Sequence, residues 1–329
     1  MTSPHFSIIV PTFNRPDEVD ELMASLTHQS YREFELILAD GTPDESLVKI
    51  IDKYRTELTV QHLHRPYLGI SDSRNLGCQH AKGQYFIFLD SDCVLPKNYL
   101  NTVIKGLNDN HFDAFGGPDA ADESFTPIQK AISYSMTSML TTGGIRGKKK
   151  HVGQFHPRGF NMGISREIFE KTDGYSSLKC AEDIEFSIRI ISMGFKTGLI
   201  PEAYVYHKRR TSFKAFFRQV YRFGAARINI YKLYPNELKL THFFPAAFLM
   251  VIAFLLLSPL VSTKLFIAGS ILLIFYFTLI FIDSTIKNKS PRVGALSIIA
   301  VLAQFGGYGS GFIANFIQLL ILRREKSLV

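Results

Sequence analysis

Residues 85–92 read YFIFLDSD. An apolar run of this length, aromatic and β-branched, reads as a buried strand, and ligands of open α/β sheets gather at the carboxyl ends of such strands. The run stops in Asp90 and Asp92. Side chains at i and i+2 of an extended segment point the same way, so these carboxylates can face one divalent cation or one polar ligand together. A hard oxygen site of this kind suits Mg2+ or Mn2+ bridging a diphosphate. An acidic pair at a strand end also occurs as a plain solvated turn, so the motif needs its surroundings.

Those surroundings are strands alternating with helices. Upstream, Phe6 to Val10 reads as a strand stopped at Pro11, and Asn14 and Pro16 open a helix to about Gln29 with acids in its first turns. Phe34 to Ala39 is a strand ending in Asp40, Asp44 to Arg55 a helix, Val60 to Arg65 a strand and Asp72 to Ala81 a helix. The pattern predicts a parallel doubly wound sheet, with Asp40 and Asp90 bordering one crevice. Downstream, helices are expected over Asn98 to Leu107 and Ser124 to Leu140, and strands over Asp113 to Pro118 and Gly159 to Ser165. Thr141 to His156, with Lys148, Lys149 and Lys150, reads as a mobile basic loop, either solvated or meeting an anionic acceptor or lipid phosphate. A short helix spans Arg166 to Lys171. Ala181 to Met193 reads as an amphipathic helix with Ile184, Ile188, Ile191 and Met193 facing a core, and Glu182 and Asp183 in its first turn. There carboxylates either answer the helix dipole or do chemistry. A strand from Gly198 to Tyr206 then ends in His207.

The 329 residues carry a net charge of +8, but the excess clusters at 146–150, 208–227 and 323–326. Two of these clusters flank apolar segments, which fits an anionic lipid surface; no zinc-finger, RRM or basic-zipper pattern accompanies them, so no nucleic acid is expected. Cys78, Cys93 and Cys180 have neither disulfide nor metal-ligand spacing and fit a reducing compartment. The first residues lack the basic and apolar regions of a signal peptide, so the first domain is expected to stay in the cytoplasm. From Ser212, phenylalanines recur at helical spacing opposite Lys214, Arg218, Arg222 and Arg227, the mark of a helix lying flat in a membrane interface or packing on a core. Phe243 to Val261 and Leu265 to Ile282 are 19 and 18 residues without charge, each long enough to span. Lys287, Lys289 and Arg292 in the return loop place that loop in the cytoplasm. Val293 to Leu322 is uncharged for 30 residues, about 45 Å as a helix. It is either one tilted or kinked span or a re-entrant pair of half-helices returning Arg323 and Arg324 to the cytoplasm. The organisation expected is a catalytic domain over 1–210, interfacial helices over 211–240 and a membrane domain over 241–329, with spans about 243–261, 265–282 and 293–322, in the inner membrane of a cell.

Taken together, FSIIVPTFNR, the strand ending at Asp40 with Gly41 and Thr42, SDSRNLGCQHAKGQYFIFLDSD, GFNMGISREIFEKTDGY, AEDIEFSIRIISMGF and the VYH closed by His207 resemble the family 2 glycosyltransferases in the family's own order, over about Phe6 to Arg222. The resemblance implies a GT-A fold, α/β and Rossmann-like, and inverting transfer from a nucleoside diphosphate sugar, a UDP-sugar first and guanine the other base. It implies that Asp40, near Pro11 and Thr12, reads the base and that Arg74 approaches base or diphosphate. By the same resemblance Asp90, Ser91 and Gly159 line the donor, with Asp90 near the ribose. Asp92 and His207, beside Asp90, hold Mg2+ or Mn2+, and Asp183 of the Glu182-Asp183 pair is the general base. The apolar C-terminus is similar to members that build exopolysaccharide or lipid-linked glycans, with a membrane-associated acceptor such as a polyprenyl phosphate. QVYRF, Gln219 to Phe223, resembles a QXXRW element with phenylalanine for tryptophan; Gln219 and Arg222 are acceptor or donor contacts, or simply the polar side of the helix.

Two rivals stand beside this reading. A nucleotidyltransferase needs a glycine-rich basic loop after the first strand, and PTFNRPDE has no glycine. A non-catalytic, sugar-nucleotide-binding or scaffold subunit tolerates the loss of a site acid, whereas Asp40, Asp90, Asp92, Asp183 and His207 are all present.

Overall fold

A computed structural model of the chain describes residues 5–120, 122, 124–143, 155–178 and 180–323. The chain forms two compact units, one from 1–122 and 148–208, the other from 123–147 and 209–328. The basic run Lys148, Lys149 and Lys150 lies outside the described residues.

The first unit opens with β1 (Phe6–Thr12), α1 (Pro16–Thr27), β2 (Phe34–Asp40), α2 (Val48–Tyr54), β3 (Val60–His64), α3 (Ile70–His80) and β4 (Tyr85–Leu89). It continues with β5 (Cys93–Val94), α4 (Tyr99–Asn110), β6 (Ala114–Gly116) and β7 (Asp119–Ala120). In chain order the second unit then contributes α5 (Pro127–Thr137) and α6 (Met139–Thr142). The first resumes with β8 (Asn161–Ser165), α7 (Arg166–Thr172), α8 (Glu182–Ser192), β9 (Thr197–Leu199) and β10 (Val205–His207). Among the described residues the main sheet runs β3-β2-β1-β4-β8-β6-β9. Phe6, Ile8 and Val10 of β1 enter a core with α1 and α4, while Ile9 enters another with Phe86, Phe88, Phe186 and Ile190. A sheet covered on both faces buries continuous apolar runs, which is why these strands show no polar alternation.

The sheet is mixed rather than wholly parallel: β8 pairs antiparallel with both β4 and β6. An isolated apolar run carries no direction, so the sequence pattern could not reveal this. The reversal matters for position, because Asn161 at the start of β8 stands opposite Leu89 at the end of β4. A second small sheet, β5-β10-β7, sets His207 opposite Cys93.

Three local expectations change. Gly198 to Tyr206 is not one strand; a turn at Pro201–Glu202 separates β9 from β10. Ser124 to Leu140 is two helices, parted where Ser138 is extended, with ψ 145°. Helix α8 buries Phe186, Ile188 and Ile190, whereas Met193 is 50% exposed and Ile184 and Ile191 are half-buried. The aromatic Phe186 sets the buried face, which keeps the expected Ile188 but leaves Ile184, Ile191 and Met193 at its rim or outside it.

In the second unit α5 and α6 join α9 (Phe213–Leu233), α10 (Phe244–Leu257), α11 (Thr263–Asn288) and α12 (Pro291–Phe316). Leu240–Leu260, Thr263–Asn288 and Pro291–Ile321 are long and apolar enough to cross a membrane. The third is a single helix continued by a π turn over Ile317–Ile321, which removes the re-entrant pair of half-helices. Its glycines are contact points. A Cβ on Gly307 would strike the Phe217 carbonyl, one on Gly311 the Tyr221 carbonyl, and one on Gly224 the Tyr308 carbonyl. Small residues let two helix backbones touch.

Candidate active site

The first cluster is built by β4, β5 and β10. Asp90 leaves the end of β4 and Ser91, 5% exposed, tucks beneath. The β5–β10 pairing, reinforced by the Lys208 N–H donating to the Asp92 carbonyl at 3.1 Å, brings His207 to the aspartates. His207 Nε2 lies 3.0 Å from Asp92 Oδ1 and 3.8 Å from Asp90 Oδ2. Its ring stacks on Phe160 at 4.9 Å, which fixes its plane. The other Asp92 oxygen accepts from Arg15 Nη1 at 2.9 Å. Ligand atoms of Asp92, Cys93 and His207 lie within 4.8 Å of one another. Carboxylate oxygens suit Mg2+ or Mn2+, and the imidazole nitrogen beside them is a borderline donor. The Cys93 thiol is buried and directed to the Phe160 carbonyl at 3.5 Å, so the hard donors are the ones that fit.

The second cluster lies where α3, α8 and the start of β8 meet. Arg74, only 2% exposed, donates from Nη1 to Glu182 Oε1 at 2.8 Å and from Nη2 to Asp90 Oδ1 at 3.2 Å. Its guanidinium sits over the Tyr175 ring, 5.1 Å from the centroid. Gly159 is pressed against it: a Cβ there would fall 2.6 Å from Arg74 Nη2. The Gly159 N–H donates to Asp183 Oδ2 at 3.1 Å and the Ile184 N–H to Oδ1 at 2.8 Å. Asp183 thus hangs half-buried at the α8 N-terminus with both oxygens oriented. Burial pushes the Glu182 carboxyl up, with Arg74 opposing. Ala181, just before the pair, holds φ +64°, a left-handed conformation costly for a residue with a side chain. The first turn of α8 that follows it meets Gly159 through Asp183.

The third cluster is at the ends of β1 and β2, where Thr12 stands opposite Asp40. Asp40 is fully buried; Oδ1 accepts from the Thr42 N–H at 2.9 Å and Oδ2 lies 3.1 Å from His62 Nε2. Burial alone would raise this carboxyl, but the bonds from His62 and Thr42 outweigh it and hold it below its ordinary value. Pro11 and Thr12 line the strand beside it, and the Gly41 N–H ties back to the Thr12 carbonyl at 2.9 Å.

Arg74 therefore joins Asp90 to Glu182, and Gly159 joins Arg74 to Asp183, within the first unit. Gln219 and Arg222 belong to the second unit, on α9, half-buried and exposed respectively. Arg15, His62 and Tyr175 were not singled out from the sequence. Arg15 and Tyr175 had a signal, closing FSIIVPTFNR and GFNMGISREIFEKTDGY respectively; His62 had none, since its role depends on β3 pairing beside β2.

Residues 7–172, half of the chain, match the model of glycosyl transferase family 2. An uncharacterised glycosyltransferase of Haemophilus influenzae is 29% identical over 218 residues, covering 63% of this chain and 70% of that protein. The GalNAc(5)-diNAcBac-PP-undecaprenol β-1,3-glucosyltransferase of Campylobacter jejuni is 27% identical over 116 residues, 34% of this chain and only 38% of that protein. Among solved structures, the mannosyltransferase PcManGT of Pyrobaculum calidifontis, in complex with GDP-Man and Mn2+, superposes with a TM-score of 0.63 at 16% identity. That match covers 92% of this chain and 88% of the other, and it carries the GT-A fold. By the family match over half its length, seated on that fold, the chain belongs to glycosyl transferase family 2.

Proposed function

We propose that this glycosyltransferase moves a sugar from a nucleoside diphosphate sugar, a UDP-sugar first, to a lipid-linked acceptor, with inversion at the anomeric carbon. The observation that carries the reading is the chain Asp92–His207–Asp90–Arg74–Glu182, with Asp183 beside it on Gly159, at the carboxyl end of the central strand β4. Asp40, with Pro11 and Thr12, reads the base; Asp90 and Ser91 line the ribose side. Asp92 and His207, with Asp90, would hold Mg2+ or Mn2+, which when bound offsets negative charge on the departing diphosphate. Asp183 accepts the proton of the acceptor hydroxyl as its oxygen bonds to the anomeric carbon. The bond from that carbon to the diphosphate breaks on the opposite face, and the nucleoside diphosphate leaves. One displacement inverts the centre. The two amide N–H groups on Asp183 keep its carboxylate in place while each oxygen retains a lone pair for the proton. Arg74 fixes Asp90 and Glu182 at a set spacing.

A lipid-linked acceptor is supported by the apolar helices of the second unit and by the name of the Campylobacter relative, whose substrate is undecaprenol-linked. The same helices support membrane attachment with the catalytic unit on the cytoplasmic face. The test is calorimetric titration of the detergent-solubilised protein with UDP and GDP, with Mn2+ and then with EDTA, alongside transfer of labelled sugar to lipid extracts. Asp183→Asn should keep metal-dependent nucleotide binding and lose transfer. Transfer at the original rate by pure Asp183→Asn protein removes the base assignment.

A further inference from the structure

The three apolar helices of the second unit differ in their company. Within their most apolar windows, 44% of the residues around α12 are buried, against 11% and 6% for α10 and α11. Helices that carry charge accompany α12 along its length. At its N-terminal half Val293 and Ala300 pack with Ala131, Ile132 and Met136 of α5. There Asp283 of α11 accepts from the Tyr134 hydroxyl at 2.7 Å and from Lys287 at 2.8 Å. Along its C-terminal half α9 runs parallel: Phe217 meets Gly307, Tyr221 meets Gly311, and the Asn315 amide donates to the Ala225 carbonyl at 2.7 Å and to Asn229 at 2.9 Å. Helix α9 exposes Lys214, Arg218, Arg222 and Lys232. Were α12 to cross a bilayer, α9 would be drawn in with it and its cations placed at hydrocarbon depth, which spanning segments avoid.

The hairpin of α10 and α11 is different. Phe248 and Tyr276, with ring centroids 6.5 Å apart, close its base near Val301 and Phe305 at the middle of α12. Beyond that base nothing covers it among the described residues. Met250, Phe254, Leu257, Ile271, Leu272 and Phe275 are all at least 60% exposed, and the sole charge between 250 and 275 is Lys264 at the tip. Each free arm is about 20 Å long at ~1.5 Å per residue. With the thickness of α12 seated in the interface, that reaches across most of a ~30 Å hydrocarbon core.

We infer that the lipid-penetrating surface of this protein is the α10–α11 hairpin alone. Helix α12 lies with α5 and α9 against the membrane face, basic side to the headgroups, and the chain returns at Arg323 to the side on which it entered. The inference rests on the membrane attachment proposed above. The C-terminal cations then stay with the others, as the positive-inside rule favours.

The test is labelling by a membrane-impermeant maleimide of the full-length chain in sealed spheroplasts, comparing native Cys180 with the same chain carrying Arg323→Cys, an exposed position. The expected result is loss of labelling at both sites until the membrane is permeabilised. Labelling at position 323 in intact spheroplasts while Cys180 stays protected means that α12 crosses, and overturns the inference while leaving membrane attachment standing. Recovery of the chain in the soluble fraction after an alkaline wash removes both.

Discussion

Arg74→Met is the sharpest test of how the site is held. The substitution keeps most of the volume and removes the charge between Glu182 and Asp90. Taking one partner from a buried ion pair costs about 3–5 kcal/mol, because the other charge is left without compensation. Two facts place the expectation at the lower end. The Asp90 side chain keeps 32% of its surface accessible and rehydrates, and Glu182, already pushed up by burial, can take a proton. We expect a loss of about 3 kcal/mol. For a unit of this size that lowers the unfolding midpoint by about 6–12 °C. Scanning calorimetry on the detergent-solubilised protein reads this directly. The pH dependence follows from the direction of the Glu182 shift. Without Arg74 the native carboxyl rises further above its unfolded value of 4.5, so the folded state holds the proton more tightly. Stability of the variant is then fully present below that value and is lost as pH rises through the native one, opposite to a carboxylate stabilised by a cation. The variant therefore gains on wild type as pH falls from 7 towards 5, and Glu182→Gln added to it recovers part of the loss at pH 7. A midpoint within 2 °C of wild type at pH 7, or a deficit that does not shrink on acidification, refutes the buried bridge.

Arg15→Gln frees the Asp92 oxygen that Arg15 holds at 2.9 Å, and Mn2+ bound without nucleotide, counted by electron paramagnetic resonance, should bind about fivefold tighter for one partly exposed charged bond removed; equal or weaker binding contradicts competition for that oxygen. Gly311→Leu drives a side chain into the Tyr221 backbone and should cost about 2 kcal/mol or more of helical stability, followed by circular dichroism; an unchanged melt means that α9 and α12 do not touch there. Asp40→Asn should flatten the acid limb of stability. The native carboxylate is held below 3.8, so its contribution is present above that value and is lost as pH falls through the native one. A variant whose limb below pH 4 matches wild type shows that Asp40 adds nothing.

What the sequence made legible was whatever depends on local pattern. The run Tyr85–Leu89 is the strand it appears to be, bounded by the acids that end it, and the first three strands fall within two residues of where their apolar runs lie. The GT-A fold and the family followed from motif order. Direction and pairing were not legible. Nothing in NMGIS says that β8 runs against its neighbours, because side-chain alternation is identical either way. The α8 face was right at Ile188 and astray at Ile184, Ile191 and Met193 for a related reason: aliphatic residues at plausible spacing outvoted Phe186, although the aromatic buries more surface. Within the site, the sequence placed carboxylates at strand and helix ends. It did not show that Arg74 would be walled in by Gly159 and Tyr175, since that depends on segments about a hundred residues apart.

The reversed strand also sets a timetable for synthesis. Strand β4 pairs with β1 on one side and with β8 on the other, and among the described residues β6 pairs with β8 and β9. Strand β8, the shared partner of β4 and β6, emerges from the ribosome about 70 residues after Leu89, and β9 later still. At ~5–20 residues per second the nascent chain carries an open, apolar edge for about 4–14 s. Such an edge invites pairing with other chains. Crowded expression should therefore trap this protein as aggregates through β4, and slower translation between Leu89 and Asn161, which prolongs the exposed edge, should lower the folded yield without any change in the finished molecule.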